Sequence, residues 1–326
     1  MKHEIICVGS ASLDVFVSSK SKDLEFEKIH KHVDVCMPIG SKILLNAIHT
    51  EVGGGGVNTA VSFSRLGFKT ALISKMGKDR NAETIKKELQ KEKITFMGTT
   101  EKGQTGYSII ITGLQKDRTI LTYKGNNDKL KPKEVPWKKL QTKWFYLATM
   151  LGQSHKTQDK IAQYAKKNKI KVLFNPSLYL AEKGMKYLKP ILDACNILIL
   201  NKEEAQAVTG LMAEMPTLLK KLQQKVPMVV ITDGPRGAHS YDGKKTYSMT
   251  PKKVKVTDPT GAGDSFASAF LSATILGKDT KTALKWGAAQ AISVIQHYGA
   301  TNKLLTRKEL AKKAKNACKV SEVRQC

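Results

Sequence analysis

Short, continuously apolar runs at residues 5–9, 70–76, 144–148, 170–175, 196–200 and 228–233 are each bounded by Gly, Asn, Pro or Asp, and each reads as a buried strand. Between them, apolar positions recur at helical spacing over 56–66, 80–92, 157–168, 202–209 and 217–224. Strands without polar alternation, separated by helices, predict a mostly parallel sheet covered on both faces, an α/β architecture. Past residue 260 the pattern turns helical, over 261–276, 280–297 and 306–319. Two regions break the alternation. Residues 13–19 with 43–50, and 105–112 with 118–123, are strand-like runs with no helix between them. Antiparallel pairing suits both, because hairpins need no crossover, and together they predict a small β-sheet projecting from the main body. The polar segment 23–40 yields no assignment. No internal repeat or low-complexity linker divides the 326 residues, so they read as one domain, with the projecting sheet formed by about 12–50 and 95–125 inserted in it.

Composition narrows the class. Hydrophobic residues at 41% and charged residues at 25% suffice for a sizeable core and exclude a disordered, collagen-like or disulfide-scaffold chain. No apolar stretch is long enough for a membrane span, and the run after Met1 is too short for a secretory leader, so a cytoplasmic protein is expected. Five cysteines (Cys7, Cys36, Cys195, Cys318, Cys326) lie far apart, without the spacing of a zinc site. Cys7 and Cys195 fall in apolar runs and read as small core residues. The formal charge of +27 could draw in nucleic acid, an anionic surface or an anionic substrate. Only six of the 55 basic residues are arginines, however, and the lysines are spread along the whole chain. Lysine lacks the planar fork used for base-edge readout, so a generally basic surface is favoured over a nucleic-acid groove.

Three glycine-containing stretches carry the chemistry. In Asp258-Pro259-Thr260-Gly261-Ala262-Gly263-Asp264, small residues precede an apolar helix, so successive N–H groups and the helix terminus can face one anion. Asp264, in the first turn, either caps the helix or takes a proton from an attacking hydroxyl; the stretch alone supports both. Gly53-Gly54-Gly55-Gly56-Val57-Asn58 permits close approach of a ligand to the main chain at a helix start. It is neither a dinucleotide fingerprint nor a P-loop. At the carboxyl end of the 228–233 strand come Thr232, Gly234, Arg236 and Gly237, where a parallel sheet places its ligand crevice. Asn201 and Glu204 close the neighbouring strand, three apart on one helix face, suited either to a helix cap or to holding water around Mg²⁺.

In this order the elements resemble the ribokinase-like (PfkB) carbohydrate kinase family, from Gly9-Ser10-Ala11-Ser12-Leu13-Asp14 to Tyr298-Gly299-Ala300. Residues 258–264 look like its D-T-x-G-A-G-D signature, with Pro259 in place of Thr. Residues 53–58 look like its G-G-x-G-x-N motif, 201–204 its N-x-x-E motif, and Gly125-Asn126-Asn127 its G-A-N segment. The resemblance implies a parallel-sheet α/β domain with a β lid and an ATP-dependent phosphorylation of an alcohol. Asp264 would be the base, and Gly261, Ala262 and Gly263 the anion hole. Asp14, Gly54, Gly55 and Asn58 would hold the acceptor; Asn201, Thr232, Gly234 and Gly237 would line the nucleotide. Glu204 would organise Mg²⁺ through water, and Asp258, Thr260 and Gly299 would bind a monovalent cation such as K⁺.

The implied acceptor is a sugar such as ribose, or in the alternative a nucleoside or a sugar 1-phosphate, for which cations such as Lys124 would be required. Where ribose kinases of the family often carry an acid after the 144–148 strand, this chain has Met150-Leu151-Gly152. A homodimer through the lid is also implied. A vitamin kinase of the same superfold would lack the lid strands, and a non-catalytic nucleic-acid binder is the remaining alternative.

Overall fold

The computed structural model describes residues 2–19, 25–29, 32–112 and 118–323; Cys326 lies outside them, as do parts of the 12–50 and 95–125 insertions. Among the described residues the main sheet has ten strands, in the order Cys318–Val323, Thr246–Pro251, Ala238–Tyr241, Met228–Thr232, Ile197–Asn201, Lys171–Asn175, Trp144–Ala148, Ile5–Val8, Thr70–Ile73, Thr95–Phe96. From Met228–Thr232 to Thr95–Phe96 neighbouring strands run parallel, and the strands the sequence predicted are buried on both faces, as their unbroken apolar runs require. Helices cover each side over one of two apolar clusters. Cys7 and Cys195 are buried core residues, and burial pushes both thiols up to about 12.

Several expectations need correction. The last three strands are antiparallel and were missed, because Ala-His-Ser-Tyr and Thr-Tyr-Ser-Met carry little apolar weight. The predicted helix over 306–319 ends as Arg307–Lys313. A 3₁₀ turn follows, and residues from Cys318 become an edge strand whose alternation the lysine-rich sequence obscured. The helix predicted from 157 begins at Gly152. Helices Leu178–Ala181 and Gly184–Leu192, the latter with Pro190 inside it, were not anticipated.

The projecting sheet exists, ordered Arg118–Tyr123, Gly106–Thr112, Ser12–Ser18, Ala47–Gly53. Both hairpin pairings are antiparallel as expected, but the hairpins join through a parallel pair, Gly106–Thr112 beside Ser12–Ser18. Residues 43–46 are not strand, and residues 95–101 belong to the body, pairing with Thr70–Ile73 and Lys75–Gly77. Within 23–40, strands Glu25–Ile29 and His32–Cys36 pair as a separate hairpin. Register puts Asp14, Glu51 and Ser108 in one row across the lid, with Phe16, His49 and Ile110 in the next. The opposite face exposes Ile48, Ile109, Leu121 and Tyr123. The lid root is tied to the body by Asn127, whose Oδ1 accepts from Ala11 N (2.9 Å) and whose Nδ2 donates to Ala11 O (2.8 Å). No helix is long and apolar enough to cross a membrane among the described residues.

Candidate active site

Helices Gly55–Arg65 and Ala262–Ile275 start side by side at the carboxyl end of the sheet. The Ser268 hydroxyl donates to that of Ser62 across 2.7 Å of buried interface, which fixes one helix against the other. Their first turns therefore meet, and Asn58 Nδ2 donates to Asp264 Oδ2 at 2.9 Å. Burial pushes the Asp264 carboxyl up to about 6. The Asn58 bond opposes that rise, and the charge of Asp14 adds to it.

Each glycine before the first helix has a steric reason. A Cβ on Gly53 would overlap the Asp14 carboxylate, and Gly54, the N-cap, sits at φ 93° with the Ser10 carbonyl where a side chain would be. At Gly55 a Cβ would crowd the Ala148 methyl at 3.2 Å, with Asp264 Oδ1 in ordinary contact at 3.6 Å. The four-glycine run is thus packed on the Asp14 carboxylate, the Ser10 carbonyl and the Gly9 backbone rather than left as a loose turn. Asp14 is itself buried, which raises its pKa, while bonds from Ser108 and Ser12 and the nearby Lys124 ammonium lower it. The Ser12 hydroxyl donates to its Oδ1 at 2.9 Å.

At the start of the second helix Gly261 adopts φ 76°, packed so closely on Ala300 that a Cβ would lie 2.5 Å from its methyl. The amide of Ala262 is drawn onto the Pro259 carbonyl by a long bond of 3.3 Å, whereas the amides of Gly261, Gly263 and Asp264 take no acceptor among the described residues. Those three face an anion better than Ala262 does. The preceding loop is braced by the buried Asp258. Its Oδ1 accepts from Thr260 N (2.9 Å) and Oγ1 (2.6 Å), and its Oδ2 from Gly299 N (3.0 Å).

A cavity of about 270 Å³ joins this helix start to the strand ends, lined by Gly261, Ala262, Gly263, Asp264, Asn201, Glu204 and Thr232. Asn201 and Glu204 form a capping box. Glu204 N donates to Asn201 Oδ1 (2.8 Å) and Asn201 N to Glu204 Oε2 (2.7 Å), so the cap reading of this pair is realised. Only Oε2 is committed, and burial pushes the Glu204 carboxyl up to about 7. Gly234 and Gly237 do not line the cavity. Gly237 holds φ 107° with the Met249 carbonyl where a side chain would stand, so packing of the turn explains that glycine.

Asn175 and Arg118 are among the lining residues that the sequence reading did not single out. Asn175 ends its strand and is held between the Tyr146 hydroxyl (2.9 Å) and the Ile199 carbonyl (2.7 Å). Its place at a strand terminus was the available signal. Arg118 starts the outermost lid strand and reaches the same cavity as Asp264 and the open amides; no local pattern distinguishes it. A larger cavity, about 670 Å³, lies between the lid face at Phe16 and His49 and the body at Thr257, Tyr298 and Asn302. None of the predicted site residues lines it.

Residues 3–307 match the profile described as pfkB family carbohydrate kinase. The chain is 29% identical to the ribokinase of Haemophilus influenzae over 79% of this chain and 85% of that one. With the ribokinase of Bacillus subtilis it shares 26% identity over 94% and 97%. Among solved structures, the ribokinase-family nucleoside kinase of Methanocaldococcus jannaschii superposes with a TM-score of 0.75 at 25% identity, covering 97% of this chain and 98% of that one. The protein is a phosphotransferase with an alcohol group as acceptor. It belongs to the pfkB family of carbohydrate kinases.

Proposed function

We propose that the protein transfers the γ-phosphoryl group of ATP to a hydroxyl of a sugar such as ribose, or of a sugar-bearing acceptor such as a nucleoside. The observation that carries this reading is the convergence of the Asn58–Asp264 pair, the Asp14 carboxylate on Gly53, and three uncommitted amides at one helix start. The acceptor would lie between lid and body, its hydroxyls on Asp14, Asn58 and the glycine backbone. Asp264 would accept the proton of the attacking hydroxyl, which needs reach and an ionised carboxylate rather than a high pKa. Charge growing on the phosphoryl oxygens would meet the amides of Gly261, Gly263 and Asp264. The four-stranded lid favours a sugar or nucleoside kinase over a vitamin kinase, and its exposed apolar outer face supports a homodimer.

Mg²⁺ fits the donor set, because Glu204 is a half-buried carboxylate with one oxygen uncommitted among the described residues, beside a cavity lined by further oxygen donors. Glu204 would hold it through water, and the ion supplies charge neutralisation on the phosphate oxygens. A monovalent cation such as K⁺ would sit on the Asp258 loop, where Oδ2 retains a lone pair after accepting from Gly299 while Oδ1 is taken up by Thr260.

Coupled ADP release, measured over pentoses, hexoses, nucleosides and sugar 1-phosphates with and without K⁺, tests the reading. ATP turnover that no polyhydroxyl acceptor stimulates would sink it. Arg118 gives a second test. A guanidinium in the phosphoryl cavity matches the planar oxygens of a phosphoryl group. Arg118→Ala should lower kcat on the order of a hundredfold, and Arg118→Lys should recover part of that loss by charge alone. A kcat unchanged in the Ala variant would remove Arg118 from the site.

A further inference from the structure

The four residues Gly299 to Asn302 touch the Asp258 loop, both helices that carry Asn58 and Asp264, and the lid. Gly299 donates its N–H to Asp258, and Ala300 packs on Gly261. The Thr301 carbonyl accepts from Arg65 Nη1 at 2.7 Å, at the end of the Asn58 helix. Asn302 Nδ2 donates to Glu51 Oε1, in the lid, and to the Tyr298 carbonyl (2.7 Å), while His49 Nε2 lies 2.6 Å from the same Glu51 oxygen. Glu51 is 12% exposed, and its second oxygen is buried without a hydrogen-bond partner, lying where a Cβ on Gly299 would be. Its strand is also the one paired in register with Asp14. A single carboxylate thus links the strand that would hold the acceptor to the loop against which the anion hole is packed.

We propose that Glu51 is a positioning residue that sets the anion hole according to the seat of the lid. Resting on the phosphotransfer reading above, the inference adds a contact that no motif of the chain marks. Glu51 touches no reacting atom. With the lid seated, its carboxylate presses the Gly299–Ala300 backbone toward Gly261, and the open amides are held on the phosphoryl path. Without that contact the loop can relax, and misplacement of the amides lowers turnover rather than binding.

The test uses the full-length protein and the variants Glu51→Ala, Glu51→Gln, Asn302→Ala and the Glu51→Ala/Asn302→Ala double variant. Glu51→Ala and Asn302→Ala should each lower kcat about tenfold or more, with KM for acceptor and ATP nearly unchanged. The double variant should be little worse than the weaker single one, since the Glu51–Asn302 contact that both break can be lost only once. Glu51→Gln should retain most of the activity, because its carbonyl still accepts from Asn302. Amide hydrogen exchange at Gly299 and Ser265, bonded to Asp258 and Gly261, should quicken in Glu51→Ala and not in Glu51→Gln, a readout that needs no turnover. Unchanged exchange and kcat in Glu51→Ala, or losses that multiply in the double variant, would overturn the proposal. If the wild type phosphorylates nothing, the functional reading falls, while the exchange experiment still decides the link.

Discussion

Asp264→Asn is expected to lower kcat by about a thousandfold or more while leaving the protein at least as stable as wild type. The two effects have opposite signs for one reason. The carboxylate is buried beside Asp14, which pushes its pKa up to about 6. Since the folded value lies above that of an unfolded Asp, the ionised form opposes folding. That penalty is fully present above about pH 6 and fades as pH falls toward the ordinary carboxylate range. An asparagine carries no charge, and its carbonyl can still accept from Asn58. The variant's melting temperature should therefore exceed that of wild type at pH 8, with the advantage lost near pH 4. Activity needs the ionised base, so kcat/KM of the wild type should fall as pH drops through about 6. Asn58→Ala removes the bond that holds the pKa down and should move that acid limb upward. A pH–rate profile with melting curves across the same range checks all of this. Near-normal turnover in Asp264→Asn would remove Asp264 as the base.

Much of this site was legible before any coordinates because its parts are local in sequence. Gly53–Asn58 and Asp258–Asp264 each supply a turn, a helix start and a polar group within seven residues, and the close approaches at Gly53 and Gly261 are of the kind that only glycine permits. The parallel strands were legible because burial on both faces leaves an unbroken apolar run. What could not be read depends on tertiary placement. Arg118 resembles any basic residue at a hairpin until the lid folds over the sheet and brings it to Asp264. Glu51 looks like a solvated strand residue until Asn302, 251 positions away, meets it. The antiparallel strands Ala238–Tyr241, Thr246–Pro251 and Cys318–Val323 escaped because one-sided burial needs few apolar residues, and their polar positions diluted the signal.

Substitution at the helix start separates geometry from chemistry. Gly261→Ala should reduce kcat by roughly a hundredfold to a thousandfold, the scale of losing one oxyanion donor, and should also lower the melting temperature. Gly261 holds φ 76°, and a left-handed residue with a side chain costs about 1–2 kcal/mol. Its new methyl would also lie 2.5 Å from that of Ala300, so either the 299–302 loop or the helix start must shift. Both movements carry the open amides away from the phosphoryl path and disturb the Asp258–Gly299 bond together. Gly263→Ala is the matched comparison. It lies in the same hole with an ordinary helical φ, and outside its own helical turn nothing among the described residues lies within 4 Å of the added methyl. That variant should keep its melting temperature, and whatever activity it loses should appear in the KM for the phosphate donor, since the methyl can crowd only the ligand. Purified variants compared by scanning calorimetry and steady-state kinetics would show the contrast. If Gly261→Ala behaved like Gly263→Ala in both measurements, the helix start would not be held by its packing on Ala300, and the anion hole would need another support.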